Sequence, residues 1–131
     1  MSQRWRWWMR SSSLVFLSAV LLFGEEVKRY AGSWKSDGGN ASGNIQMVIG
    51  PSAAESKILF TIGSSEVETT IKRFKDEGER VTVAYEFEIE GNRLVSTITG
   101  TRQGKKLEGK YQTVAIASAQ QVDSGTFSSR E

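Results

Sequence analysis

The chain has 131 residues, 38% hydrophobic and 24% charged, with thirteen glycines and one proline, which suits one folded domain and is too apolar for disorder. It has no cysteine and no histidine, which excludes disulfides, thiolate nucleophiles, the usual zinc sites and imidazole acid–base chemistry. The formal charge of +2 overstates the basicity of the folded part: Arg4, Arg6 and Arg10 precede every acid, and without them fourteen basic residues face fifteen acidic ones, so nothing argues for a nucleic-acid partner.

Residues 1–24 read as an export signal peptide or a hydrophobic anchor. The three arginines form a positive leading region, and residues 14–23 (LVFLSAVLLF) form an apolar core of ten residues. A core of that length matches a signal peptide and falls short of the roughly 20 residues a spanning helix needs. The expectation is a secreted or periplasmic protein that touches a membrane only through this segment during export. Residues 25–131 are then the folded domain.

That domain opens on Ala31-Gly32-Ser33-Trp34-Lys35, which reads as a first strand. Residues 36–44 (SDGGNASGN) form a flexible loop containing a formal glycosylation sequon at Asn40. Next, Ile45, Met47 and Ile49 share one face of a strand. After Gly50-Pro51-Ser52, Ile58, Phe60 and Ile62 do the same. Following the Gly63-Ser64-Ser65 turn, Val67, Thr69 and Ile71 face inward along a single fourth strand.

Residues 80–90 carry the clearest pattern. Val81, Val83, Tyr85, Phe87 and Ile89 alternate with polar residues and with Ala84, as a half-buried strand requires. Gly91-Asn92 predicts a two-residue hairpin turn that sets Glu90 opposite Arg93, Phe87 opposite Ser96 and Tyr85 opposite Ile98. A second turn at Gln103-Gly104 sets Gly109 opposite Ile98 and Tyr111 opposite Ser96. The small residues of 113–122 fit a strand, a short helix or a loop. A last strand over 123–129 turns Phe127 inward.

These segments predict an all-β domain, an eight-stranded antiparallel up-and-down barrel. Half of each strand is apolar, so the sheet closes on itself or folds as a sandwich. Closure would pair Gly32-Ser33-Trp34 with Gly125-Thr126-Phe127.

From Trp34 onward the chain resembles the calycin-like barrels: lipocalins, fatty-acid-binding proteins and avidins. Gly32-Ser33-Trp34 is similar to the glycine–x–tryptophan that begins the first lipocalin strand, and Gly38 and Gly43 extend the likeness to the first avidin hairpin. The nearest likeness is to bacterial exported glycine–x–tryptophan barrels that have no assigned activity. The resemblance implies a barrel with Trp34 plugging one end. It implies no particular ligand, because the inward arginines of fatty-acid-binding proteins and the several tryptophans of avidins have no counterparts here.

The candidate interior residues are Trp34, Phe60, Thr69, Tyr85, Phe87, Ser96, Tyr111 and Phe127. Ser96 flanked by aromatics leaves either a packed core whose hydroxyls bond one another or the wall of a pocket. Glu86, Glu88 and Glu90 form a solvated acidic row, and Arg102, Lys105 and Lys106 a basic hairpin tip. There is no nucleophile elbow, phosphate loop or dinucleotide fingerprint, so no catalytic residue, metal ligand or cofactor is assigned. Asp37, Glu108 and Asp123 would suggest an enzyme only if buried together. Two functions follow. One is an exported barrel binding a small apolar or amphipathic molecule inside. The other is a packed barrel acting through loops 36–44 and 113–122 as a protein-interaction or inhibitor module. Oligomeric state is not legible.

Overall fold

In the computed structural model, residues 27–131 are described; the expected export segment lies outside them. They form one antiparallel sheet of nine strands, nearly closed into a barrel. In chain order these are β1 (Lys28–Ser36), β2 (Ser42–Ile49), β3 (Lys57–Ile62), β4 (Ser65–Glu68), β5 (Thr70–Asp76), β6 (Arg80–Ile89), β7 (Asn92–Gln103), β8 (Lys106–Ala115) and β9 (Gln121–Arg130). A single 3₁₀ turn at Ala53–Glu55 joins β2 to β3.

Strand order is β4-β3-β2-β1-β9-β8-β7-β6-β5. Strands adjacent in the chain pair with one another, except β4 and β5, and β1 pairs with β9. Trp34 lies opposite Phe127, and Gly32 opposite Ser129. The first and last strands therefore meet as expected of Gly32-Ser33-Trp34 and Gly125-Thr126-Phe127, in the middle of the ladder.

The break in the ladder lies elsewhere. The segment expected as a single fourth strand is two strands, which raises the count from eight to nine. Its first half pairs with β3 and its second half with β6. Thr69 sits at the bend, and its hydroxyl donates to the Ile58 carbonyl at 2.7 Å. That bond continues by side chain the β3–β4 ladder, which stops at Leu59–Glu68. Thr69 is thus a seam residue.

Both hairpin registers differ from expectation by two residues. Glu90 and Gly91 form the first turn, with φ of +51° and +83°, so Glu88 faces Arg93, Phe87 faces Leu94 and Tyr85 faces Ser96. Gly104 and Lys105 form the second turn, so Ile98 faces Tyr111 and Ser96 faces Thr113. A slip of two keeps every side chain on its face, which is why the inward residues still point inward. The expected loop over 36–44 shrinks to 37–41, because β1 and β2 run further. The ambiguous segment resolves as the end of β8, a tight connection over 116–120 and the start of β9.

Up-and-down connectivity gives the barrel two ends. At one end, the chain ends of β1 and β9 meet the connections after β2, β5 and β7. Tyr30, Met47, Ile58, Val81, Val83 and Leu107 are almost wholly buried there, and each such side chain contributes roughly 1.5–3 kcal/mol of apolar burial. Arg102 seals this end. Its guanidinium donates to the Tyr30 hydroxyl at 3.0 Å, to the Gly78 carbonyl at 2.7 Å and to the Asp76 carboxylate at 3.1 Å. It is therefore a latch and no part of a solvated basic tip. Burial acts to raise the Asp76 carboxyl, but the hydrogen bonds from Arg102 and the Gly78 amide outweigh it and hold the group below its ordinary value.

Candidate functional site

The other end is open. It is formed by the connections 37–41, 63–64, 90–91 and 116–120. Inside it lies a cavity of about 200 Å³.

Part of the wall comes from three stretches of a glycine, a spacer and a large aromatic: Gly32-Ser33-Trp34, Gly109-Lys110-Tyr111 and Gly125-Thr126-Phe127. Each of these aromatics faces a glycine on a neighbouring strand: Trp34 faces Gly43, Tyr111 faces Gly125, and Phe127 faces Gly109. A Cβ on Gly125 would stand 2.7 Å from the Tyr111 ring and 2.1 Å from the Lys35 carbonyl oxygen. A Cβ on Gly43 would lie 1.8 Å from the Thr61 carbonyl oxygen, the acceptor of the Trp34 indole N–H at 2.8 Å. At Gly43 and Gly125 the missing Cβ leaves room for the facing Trp34 and Tyr111 rings, and at Gly109 for the backbone of β7.

Trp34 does not plug a barrel end. It stands in the cavity wall, and Tyr30 on the same face of β1 fills the closed end. Trp34 meets Phe60 and Tyr111 edge to face, with ring centres 6.2 and 5.9 Å apart. Phe60 meets Phe87 in the same way at 5.0 Å, and Tyr85 lies 6.1 Å from Phe60. Such contacts add to the burial itself. With Phe127 of β9, six rings from β1, β3, β6, β8 and β9 therefore surround one space.

Of the eight expected interior residues, Trp34, Phe60, Tyr85, Phe87, Ser96, Tyr111 and Phe127 line the cavity. Thr69 does not, because its hydroxyl is committed to the seam. The two sequence-based alternatives for Ser96 both hold in part. Its hydroxyl bonds that of Thr113 at 2.5 Å, with both side chains buried, and the space beside them is open. Burial pushes the Tyr85 phenol upward, opposed in part by Ser96, so Tyr85 enters the cavity as a neutral group.

Of the lining residues outside that expectation, three bear most on the chemistry of the space. Thr113 shares parity with Tyr111, but the small residues after it obscured the strand. Leu94 lies opposite Phe87 once the register is corrected. Asp123 shares parity with Gly125 and Phe127 on the inward face of β9. A bulge at Val122, between the pairs Thr113–Asp123 and Val114–Gln121, lies next to it, and bulges characteristically re-aim side chains beside sites.

Asp123 is the charged residue of the cavity wall. Its carboxylate accepts from the Ser36 hydroxyl at 2.8 Å and from the Tyr111 hydroxyl at 2.9 Å. Asp37 lies nearby, accepting from the Ser124 hydroxyl at 2.8 Å. Glu108 is remote, on β8 toward the closed end, and pairs with Lys106 at 3.1 Å, so the three acids do not form one buried group. In the acidic row, Glu86 accepts from the Arg93 Nε at 2.8 Å and pairs with Lys72 at 3.6 Å; it is tied down on the outer face.

Compared with known proteins, the chain matches no family model, no curated protein and no solved structure.

Proposed function

We propose that this is an exported binding protein that takes a small apolar or amphipathic molecule into the open end of its barrel. The observation that carries the reading is the aromatic cavity of about 200 Å³. Protein interiors leave few voids larger than a water molecule, and an apolar cavity of about 150 Å³ suffices for benzene. The space here suits one ring with a short substituent, or a short chain. The bonded Ser96–Thr113 pair and the Tyr85 and Tyr111 phenols supply the few polar groups such sites use to orient a ligand. The arginine-led apolar segment over 1–24 supports export, and the calycin-like opening supports interior binding.

Trp34 provides the test. In the full chain with Trp5, Trp7 and Trp8 changed to Phe, it is the single tryptophan and it lies in the cavity wall. A series of small aromatic and aliphatic compounds should change its emission saturably, and native mass spectrometry should show one bound molecule per chain. A flat emission across the series, with no adduct, contradicts the reading.

A second reading, a module that binds a protein through its loops, is favoured by one observation. Ile116 and Val122, the exposed large apolar residues among those described, both belong to the β8–β9 connection and its bulge. Val122 also borders the cavity, so Ile116 is the discriminating position: if this reading holds, Ile116→Ser abolishes capture of a partner from envelope extract and leaves the Trp34 titration unchanged.

A further inference from the structure

We infer that the cavity selects a protonated organic amine, an ammonium group carried on a small apolar or aromatic body. The inference rests on the proposed reading of the cavity as a ligand site, and names the chemical class of ligand.

The charges in the wall are one-sided. Asp123 lines the cavity, and no Lys or Arg does. Among the described residues no basic side chain forms an ion pair with it. Its two hydrogen-bond partners, Ser36 and Tyr111, are neutral donors. A carboxylate has about four acceptor positions, so two donors leave it able to accept more. Burial first, and then the Asp123 carboxylate itself, push the Tyr111 phenol upward. Tyr111 therefore remains a neutral donor, fixing the carboxylate without cancelling its charge.

The rest of the wall favours the same sign. The faces of aromatic rings attract cations through their quadrupoles, most strongly where water is excluded. Trp34, Phe60, Tyr85, Phe87, Tyr111 and Phe127 supply six rings around the space. The four connections at the mouth contain Asp37 and Glu90 and neither Lys nor Arg, so an approaching cation meets an attractive field. A ligand carboxylate would meet Asp123 with no positive group to offset the repulsion. A neutral alcohol would gain the hydrogen bond without the charge.

The test uses three ligands of closely matched size on the same Trp5→Phe, Trp7→Phe, Trp8→Phe full chain: phenethylammonium, 2-phenylethanol and phenylacetate, titrated by Trp34 emission at low ionic strength. The expected order is ammonium tightest, the alcohol at least tenfold weaker, and the carboxylate weakest. In Asp123→Asn, with an unchanged circular dichroism spectrum, the ammonium loses at least tenfold and the alcohol keeps its affinity. An alcohol that binds as tightly as the ammonium, or a carboxylate that binds tightest, overturns the inference and leaves the cavity reading standing. If none of the three binds, both fall. If the Asn variant does not fold, the ranking on the native Asp123 background decides alone.

Discussion

A glycine facing an aromatic is the smallest unit that explains this barrel's shape. Tyr111 occupies the space a Cβ on Gly125 would need, and the same ring holds Asp123 through its hydroxyl. Packing and polar positioning at the mouth thus depend on one missing methyl group. Gly125→Ala should cost about 2–3 kcal/mol through overpacking, read as a lower urea midpoint with little change in slope. It should also displace Tyr111, so Trp34 emission should shift even where the chain stays folded. Asp76 is a residue-scale case at the other end. Its native carboxyl lies below the ordinary value, so its contribution to stability is present above the unfolded value of about 3.9 and fades as pH falls through the native one. Asp76→Asn should therefore lose stability at neutral pH and differ little from the parent in acid. Because the carboxylate is largely solvated, the neutral-pH loss should be small, about 1 kcal/mol, measured by urea unfolding at pH 7 and pH 3.

Among the elements, the seam at Thr69 and the turn at Glu90-Gly91 decide how the sheet is drawn together. Thr69→Val keeps the shape and removes the hydroxyl that bonds the Ile58 carbonyl, for a cost of about 1–2 kcal/mol. Amide exchange should quicken in β4 and β5 before it does in β6–β9. At the turn, Glu90 adopts a left-handed conformation with φ of +51°, which a two-residue hairpin demands and Asn meets more easily. Glu90→Asn should stabilise by about 0.5–1 kcal/mol, seen as a higher melting temperature. These two places also mark where the sequence is legible. Period-2 alternation identifies the strands and their inward faces, from Val81 to Phe87 most clearly. Alternation is blind to a slip of two, so reading Gly91 as the first turn residue misplaced every partner across β6 and β7 while moving no side chain to the wrong face. It is equally blind to the break at Thr69, because Val67, Thr69 and Ile71 keep their rhythm through the bend. Asp123 was readable by parity with Phe127, yet the bulge at Val122 hid where the strand began.

Taken as a whole molecule, the barrel is asymmetric along its axis. Aliphatic side chains, Tyr30 and the Arg102 latch fill one end, and rings with an open space between them line the other. The two ends share one core cluster, so the wholly buried side chains of the filled end anchor the rings that border the cavity. This division makes a ligand site compatible with a domain of about 105 described residues that has no disulfide to reinforce it. A crystal structure of the full chain grown in the presence of benzene probes the cavity itself. The expected result is an ordered ring between Phe60, Phe87 and Tyr111, with the surrounding backbone moved by less than about 1 Å. A barrel whose aromatic side chains have collapsed into that space, leaving no room for the ring, would contradict it.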